Sequence, residues 1–265
     1  MSSPIGSIAA SALPPVVMDY AMKQIVCMNW GTAYGADYVN RLYGMVSRNI
    51  TGPFKLVCYT DNREGIHPDV ELYDCPEVDI PHPKRNRGFR KISLWADQLP
   101  GLEGDVLFLD LDIVITDNID CFFDYEPESD FVVIHNWTQP DKRIGNTSAY
   151  RFKVGSHPYL LSNLLENHEE VMARFTNSQT YISYTVNNMD FWPDEWCRSF
   201  KVHCVPRGVK RWMVEPHLPE GTKLVAFPGT PNPPDAAEGR WPGPMHKRIY
   251  KHIRPTSWVT ENWKA

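Results

Sequence analysis

The chain lacks the features that define several large classes of protein. No run approaches the roughly eighteen apolar residues of a membrane span. No Cys-x-x-Cys pair occurs. Cys27, Cys58, Cys75, Cys121, Cys197 and Cys204 are scattered, which excludes a zinc ribbon and implies no disulfide framework in a chain this long. Cys197, His203 and Cys204 lie close together, but their spacing fits no standard zinc pattern. Positive charge is not in excess: 27 Lys and Arg face 32 Asp and Glu, a net charge of −5. That balance argues against a nucleic-acid partner. There is no internal repeat, low-complexity block or clear linker in the 265 residues, so one domain is the simplest organisation. A short apolar run at 8–17 has no positively charged stretch before it. Residues 1–22 therefore read as a loosely ordered extension, not a signal peptide, and the chain as cytoplasmic.

What is present is an ordinary globular composition, 42% hydrophobic and 22% charged, with many aromatics: nine Trp, twelve Tyr and eleven Phe. Most aromatics fill the core, but rigid flat rings also stack on sugars and bases. Residues 24–29 (QIVCMN) form an apolar strand, and 30–35 a loop. Residues 36–49 form a helix with Val39, Leu42, Tyr43 and Val46 on one face, and 54–60 (FKLVCYT) a second strand. This βαβ unit implies a parallel pair within an α/β sheet. Further strands are expected at 70–73, 131–135, 146–152 and 224–227. Helices are expected over 91–98 and 157–175, and an aromatic loop or short helix over 192–200.

The most specific segment is 106–112, VLFLDLD. Side chains alternate across a strand, so Asp110 and Asp112 share a face if the extended geometry persists. Two close carboxylates raise one another's pKa unless a positive charge intervenes, and the usual resident is a hard divalent cation shared with a substrate phosphate. The same pattern also suits a strand ending in a solvated turn.

Ligands of open α/β sheets bind beyond the carboxyl ends of the strands. There the first strand offers Asn29, Trp30, Gly31 and Thr32, the second Asp61 and Asn62, and the acidic strand Asp110 and Asp112. A basic run with Lys84, Arg85, Arg87, Arg90 and Lys91 lies just upstream of the acidic strand. Together these make a nucleoside-diphosphate pocket. Trp30 or Tyr34 flanks the base, Asp61 accepts from it, and arginine clamps phosphate.

These segments resemble the GT-A fold glycosyltransferases, with the closest likeness to family 8 and its bacterial and viral relatives. The residues that carry the likeness are CMNWGTAYGADYVNRLYGMV, LVCYTDN, RGFRKISLWADQLPGLEGDVLFLDLDIVITDNID, NTSAYRF and FWPDEWCRSFK. The resemblance covers residues 23–235 and leaves 236–265 as a basic, aromatic tail. It implies an α/β, Rossmann-like single domain with a central, mostly parallel sheet flanked by helices. It identifies Asp110 and Asp112 as the DxD ligands of Mn²⁺ or Mg²⁺ against a sugar nucleotide, most simply a UDP-sugar. It places Arg90, or Arg87 and Lys91, on diphosphate or sugar. Asn146 falls in the strand facing the donor sugar, Gln179 near the reacting centre, and Gly229 in the late donor-binding loop. The implied acceptor is a glycan or lipid-linked glycan, and likeness to family 8 implies retention.

Three positions depart from the family pattern. Ser178 stands where an Asp is common, Ala226 or Pro228 where a His completes the metal site, and Asn232 where the late loop carries a Lys. His246 is a candidate replacement ligand and reads more simply as a surface histidine. An inverting enzyme needs a carboxylate base, for which Asp190, Asp194 and Glu195 are candidates within an aromatic segment. Two other readings remain. Asp110 fits the nucleophile of a haloacid dehalogenase-like phosphatase, although no later GDxxxD follows. The three departures also fit a non-catalytic nucleotide-sugar binder. In the tail, Arg240, Lys247, Arg248, Lys251 and Arg254 interleave with Trp241, Ile249, Tyr250, Ile253 and Trp258. That pattern suits either peripheral contact with an anionic membrane or a helix packed on the domain.

Overall fold

The protein is described here as a computed structural model, which describes residues 21–81, 88–244 and 251–265. Its centre is a seven-stranded sheet. Four parallel strands come first: β1 (Lys23–Asn29), β2 (Phe54–Thr60), β3 (Val70–Asp74) and β4 (Asp105–Leu109). The helix α1 (Ala36–Asn49) makes the crossover from β1 to β2. A second, small sheet contains β5 (Ile113–Ile115), and after the short helix α2 (Cys121–Asp124) the main sheet resumes with β6 (Phe131–His135) and β7 (Gly145–Lys153). Helices α3 (Tyr159–Glu166), α4 (His168–Arg174) and α5 (Ser178–Thr185) lead to the edge strand β8 (Asp190–Phe191). The main order is β3-β2-β1-β4-β7-β6-β8, with β7 antiparallel to both neighbours. The chain then runs through β9 (Cys197–Ser199), α6 (Lys210–Met213), β10 (Leu224–Ala226), α7 (Pro233–Ala237) and α8 (Ser257–Asn262).

Both faces of the main sheet are buried, which explains the continuous apolar runs of β1, β2 and β4. Alternate residues serve opposite cores. Ile25, Cys27, Leu56, Cys58, Leu107 and Leu109 pack with α1 and the small sheet β5-β10-β9. Val26, Met28, Val57, Tyr59, Val106 and Phe108 pack with Phe89, Trp95 and Tyr181 on the other side.

Three local expectations are corrected. The helix expected over 91–98 is a 3₁₀ segment, Gly88–Trp95. Ser93 Oγ donates to the Arg90 carbonyl at 2.7 Å, three residues back, and competes with α-helical bonding. The helix expected over 157–175 breaks at Asn167, which leaves helical geometry and bonds its amide to Asn163 Oδ1 at 3.0 Å. The strands β5 and β9 lie where no strand, or a loop, is expected. Each is only three residues long and exists through pairing with β10, remote in sequence.

Arg151 of β7 anchors the loop before β6. It is 1% exposed, and its terminal nitrogens donate to the carbonyls of Phe123 (2.7 Å), Tyr125 (2.6 Å), Glu126 (2.5 Å) and Ser129 (3.1 Å). Glu126 sits at φ 45°, an unusual conformation for a residue with a side chain, at the centre of this wrap. The end of the tail is equally integrated. Trp258 and Trp263 join the core, and Arg48 donates to the carbonyls of Asn262 and Lys264. A side chain at Gly44 of α1 would collide with the backbone of Ala265. The helix α7 spans the point where the tail was expected to begin.

Candidate active site

The carboxyl ends of β1 and β4 and the start of the 3₁₀ segment converge on one cavity of about 330 Å³. After β1, Gly31 adopts φ +68°, and its N–H donates to Asp61 Oδ2 at 2.8 Å. That bond ties the loop to the end of β2 and turns Trp30 into the cavity wall. After β4 the strand geometry stops at Leu109, one residue before Asp110. The alternation nevertheless survives, because Leu111 is buried in the core and leaves Asp110 and Asp112 facing the cavity. Two backbone bonds hold this acidic turn. The Asp110 N–H donates to the Ser148 carbonyl at 2.9 Å, and the Phe227 N–H to the Asp112 carbonyl at 3.0 Å.

Lys91 is the counter-ion. Its Nζ lies 2.5 and 2.7 Å from the two oxygens of Asp110 and 5.1 Å from the centre of the Phe108 ring. The Tyr34 hydroxyl donates to Asp112 Oδ2 at 3.0 Å. One ammonium thus serves two carboxylates. Burial raises the Asp110 pKa against the opposing pull of Lys91. Burial, then repulsion from Asp110, pushes Asp112 up to about 7. Burial and the Asp112 charge also raise the Tyr34 phenol.

The cavity lining brings together Trp30, Lys91, Asp110 and Asp112 among the expected residues, with Tyr34 and Gly88. Asn146 acts one step behind: its Oδ1 accepts the Ser148 N–H at 3.0 Å, on the residue whose carbonyl holds Asp110. Asn29 is buried at the end of β1. Thr32 is exposed. Gln179 is half-buried in the first turn of α5, next to Ser178, whose Oγ lies 3.2 Å from where a Cβ on Gly88 would stand. Gly229 adopts φ +69° in the loop after β10.

Other residues stand apart. The Arg90 guanidinium is directed at the carbonyls of Cys75 (3.0 Å) and Pro76 (3.1 Å), where it secures the segment after β3. Arg87 and His246 lie outside the described residues. Asp194 is exposed, 3.8 Å from His135 Nδ1, and Asp190 accepts from Ser129 Oγ at 2.7 Å. Asp194, Asp190 and Glu195 do not line the cavity.

Lys201 is a neighbour that sequence reasoning missed. It belongs to the π-helical turn Phe200–Cys204, and its ammonium donates to the Pro228 carbonyl in the loop docked on Asp112. Burial and the nearby Lys251 lower its pKa, while Asp112 raises it. The only sequence signal was its place in an acid-free stretch.

Among the described residues no group of three or more His, Cys, Asp and Glu gathers around a point. The pair that could hold a metal here is Asp110 and Asp112. That suits Mg²⁺ or Mn²⁺, which take one or two carboxylates and complete their shell with water and substrate phosphate oxygens. The shortage of positive charge around the pair fits such an ion.

No protein-family model matches this sequence, and no curated protein matches it. Structural similarity is clear. The chain is similar to the galactosyltransferase LgtC, solved in complex with donor and acceptor sugar analogues, at 11% identity and a TM-score of 0.54, over 79% of this chain and 88% of that one. It is similar to the glycosyltransferase GlyE of Streptococcus pneumoniae at 11% identity and a TM-score of 0.56, over 91% and 62%. It also matches the bifunctional glycosyltransferase WbbM at 14% identity and a TM-score of 0.54, over 84% and 48%. This architecture does not favour the phosphatase alternative. The mixed α/β domain, with its mostly parallel central sheet, has the GT-A fold of these glycosyltransferases.

Proposed function

We propose that this protein is a glycosyltransferase that moves a sugar from a nucleoside diphosphate sugar, UDP-linked on family likeness, to a hydroxyl of a glycan or lipid-linked glycan. The carrying observation is the single cavity where Trp30, Lys91, Asp110 and Asp112 meet at the carboxyl edge of the parallel strands. Trp30 offers a ring for the base, and Asp61 holds the loop that carries it. Asp110 and Asp112 would hold Mn²⁺ or Mg²⁺, which offsets charge on a departing diphosphate. Lys91 opposes the upward push of burial on Asp110 and adds a fixed positive charge beside the same phosphate. Asn146 and Ser148 fix the acidic turn, so little reorganisation accompanies charge transfer. In the transfer, the bond between the anomeric carbon and the diphosphate oxygen breaks, and one to the acceptor oxygen forms. The acceptor proton leaves with the products. Among the described lining residues the carboxylates are Asp110 and Asp112 alone. Retention is proposed on the family likeness; an inverting reaction would draw its base from outside this lining.

The test is a thermal-unfolding panel of nucleoside diphosphates and sugar nucleotides, each with and without Mn²⁺, paired with an assay of nucleoside diphosphate release. A ligand that binds only the folded state raises its stability by about 3 kcal/mol at a hundredfold excess over Kd. The expected result is a Mn²⁺-dependent shift with one nucleotide class, lost in Asp112→Asn. A panel with no shift removes the proposal.

A further inference from the structure

Two of the acid-free stretches of this chain are rich in cations. Residues 196–214 carry Arg198, Lys201, Arg207, Lys210 and Arg211, and residues 239–260 carry Arg240, Lys251 and Arg254 among their cations. Remote in sequence, they meet in the fold. The rings of Trp212 in α6 and His252 stack with centroids 3.9 Å apart and planes within 6°. Arg254 Nη1 donates to the Trp212 carbonyl at 3.4 Å. Arg211 and Lys251 both stand over the Trp241 ring.

At this junction apolar side chains are left in water. Val209 is 76% exposed, Met213 73%, Val214 51% and Trp212 50%, with the exposed cations Arg207 and Lys210 among them. A contiguous apolar tip of this kind marks an interaction site. Ile253, Trp258 and Trp263 of the tail behave differently: they are buried and hold the tail to the domain.

We propose that the α6 junction docks the protein on an anionic lipid surface, a step that goes beyond the reaction proposed above and does not depend on it. Charge selects the partner. Arg207 and Lys210 flank the apolar tip and Arg254 bonds its Trp212 carbonyl, whereas Arg240 is paired with Asp235 and Glu238; the nearest carboxylate in sequence, Glu215, is engaged at 3.1 Å by both the N–H and the Oγ of Ser257. Val209, Met213 and Val214 enter the acyl boundary, Trp212 lies at headgroup level, and Arg207 and Lys210 meet lipid phosphate. The surface adjoins the candidate site along the chain, since Lys201 on the Pro228 carbonyl precedes α6 by one short segment.

The test is co-sedimentation of the full chain with vesicles of equal parts phosphatidylglycerol and phosphatidylcholine, against pure phosphatidylcholine, at low and raised salt. Binding is expected only with the anionic vesicles and weakens with salt. The pair Val209→Asp and Met213→Asp, and separately Arg207→Glu and Lys210→Glu, should each weaken it about tenfold or more. Thermal unfolding checks each fold, and the charge pair alters only exposed side chains. No binding to anionic vesicles at low salt overturns the proposal. So does binding that neither pair weakens, which places the contact elsewhere. Self-association in light scattering, lost in the Val209→Asp and Met213→Asp pair without vesicle binding, also overturns it and assigns the face to a second copy.

Discussion

Two buried charge sites of this protein are handled in opposite ways. In the loop before β6, the Arg151 guanidinium meets the carbonyls of Phe123, Tyr125, Glu126 and Ser129, so its terminal nitrogens are satisfied within the fold. At the end of β4, Asp110 and Asp112 share one ammonium and one phenol, so two carboxylates have one cationic partner between them. A buried ion that serves the fold is held by several bonds, here through the terminal nitrogens of Arg151 although its Nε has no partner, because an unpaired ion costs several kcal/mol. An undercompensated pair costs stability and keeps affinity for something absent from the chain, which is the signature of a binding site.

Four measurements sharpen or break this contrast, in order of expected size. Arg151→Met strands four carbonyls around the Glu126 turn and should lower unfolding stability by about 3–5 kcal/mol in urea titration. A loss under 1 kcal/mol would show that the loop holds itself. Asp112→Asn should cut glycosyl transfer, read as kcat/KM for diphosphate release, by about a hundredfold or more. Wild-type turnover in that variant would leave the pair a structural feature. Lys91→Met removes the counter-ion of Asp110 and should cost about 2 kcal/mol of stability. The same change in an Asp110→Asn background should cost much less, and equal costs in both backgrounds would mean that the ion pair is inert. The smallest effect has the opposite sign. Ligand-free Asp112→Asn relieves the repulsion from Asp110 and still accepts from Tyr34, so it should gain about 1 kcal/mol, a rise of some 2–4 °C in Tm. A drop in Tm would show that the carboxylate contributes to the fold.

The same contrast explains what could be read in advance. The boundaries of α1, β2 and β6 follow from residue patterns alone, because long apolar runs and helical spacing record which side faces the core. The acidic turn is equally legible, since Leu111 between two aspartates is a local alternation. Arg90 and Lys91 were not separable. They are adjacent cations, yet one secures the segment after β3 and the other reaches Asp110, because successive side chains of a 3₁₀ turn point about 120° apart. The β5-β10-β9 sheet was invisible for a related reason: three-residue strands carry no periodicity, and their partners lie far along the chain.

The amino-acid order alone was enough for the α/β class, the βαβ start and the position of the two carboxylates, all of which rest on near-neighbour patterns. Tertiary packing decided which cation serves the pair, that Asn146 bonds Ser148, that Lys201 joins the late loop, and that Trp258 and Trp263 turn inward while α6 turns outward. Each of those outcomes depends on contacts between segments remote in sequence, whose partners are chosen by the burial of a whole sheet and not by any local run of residues.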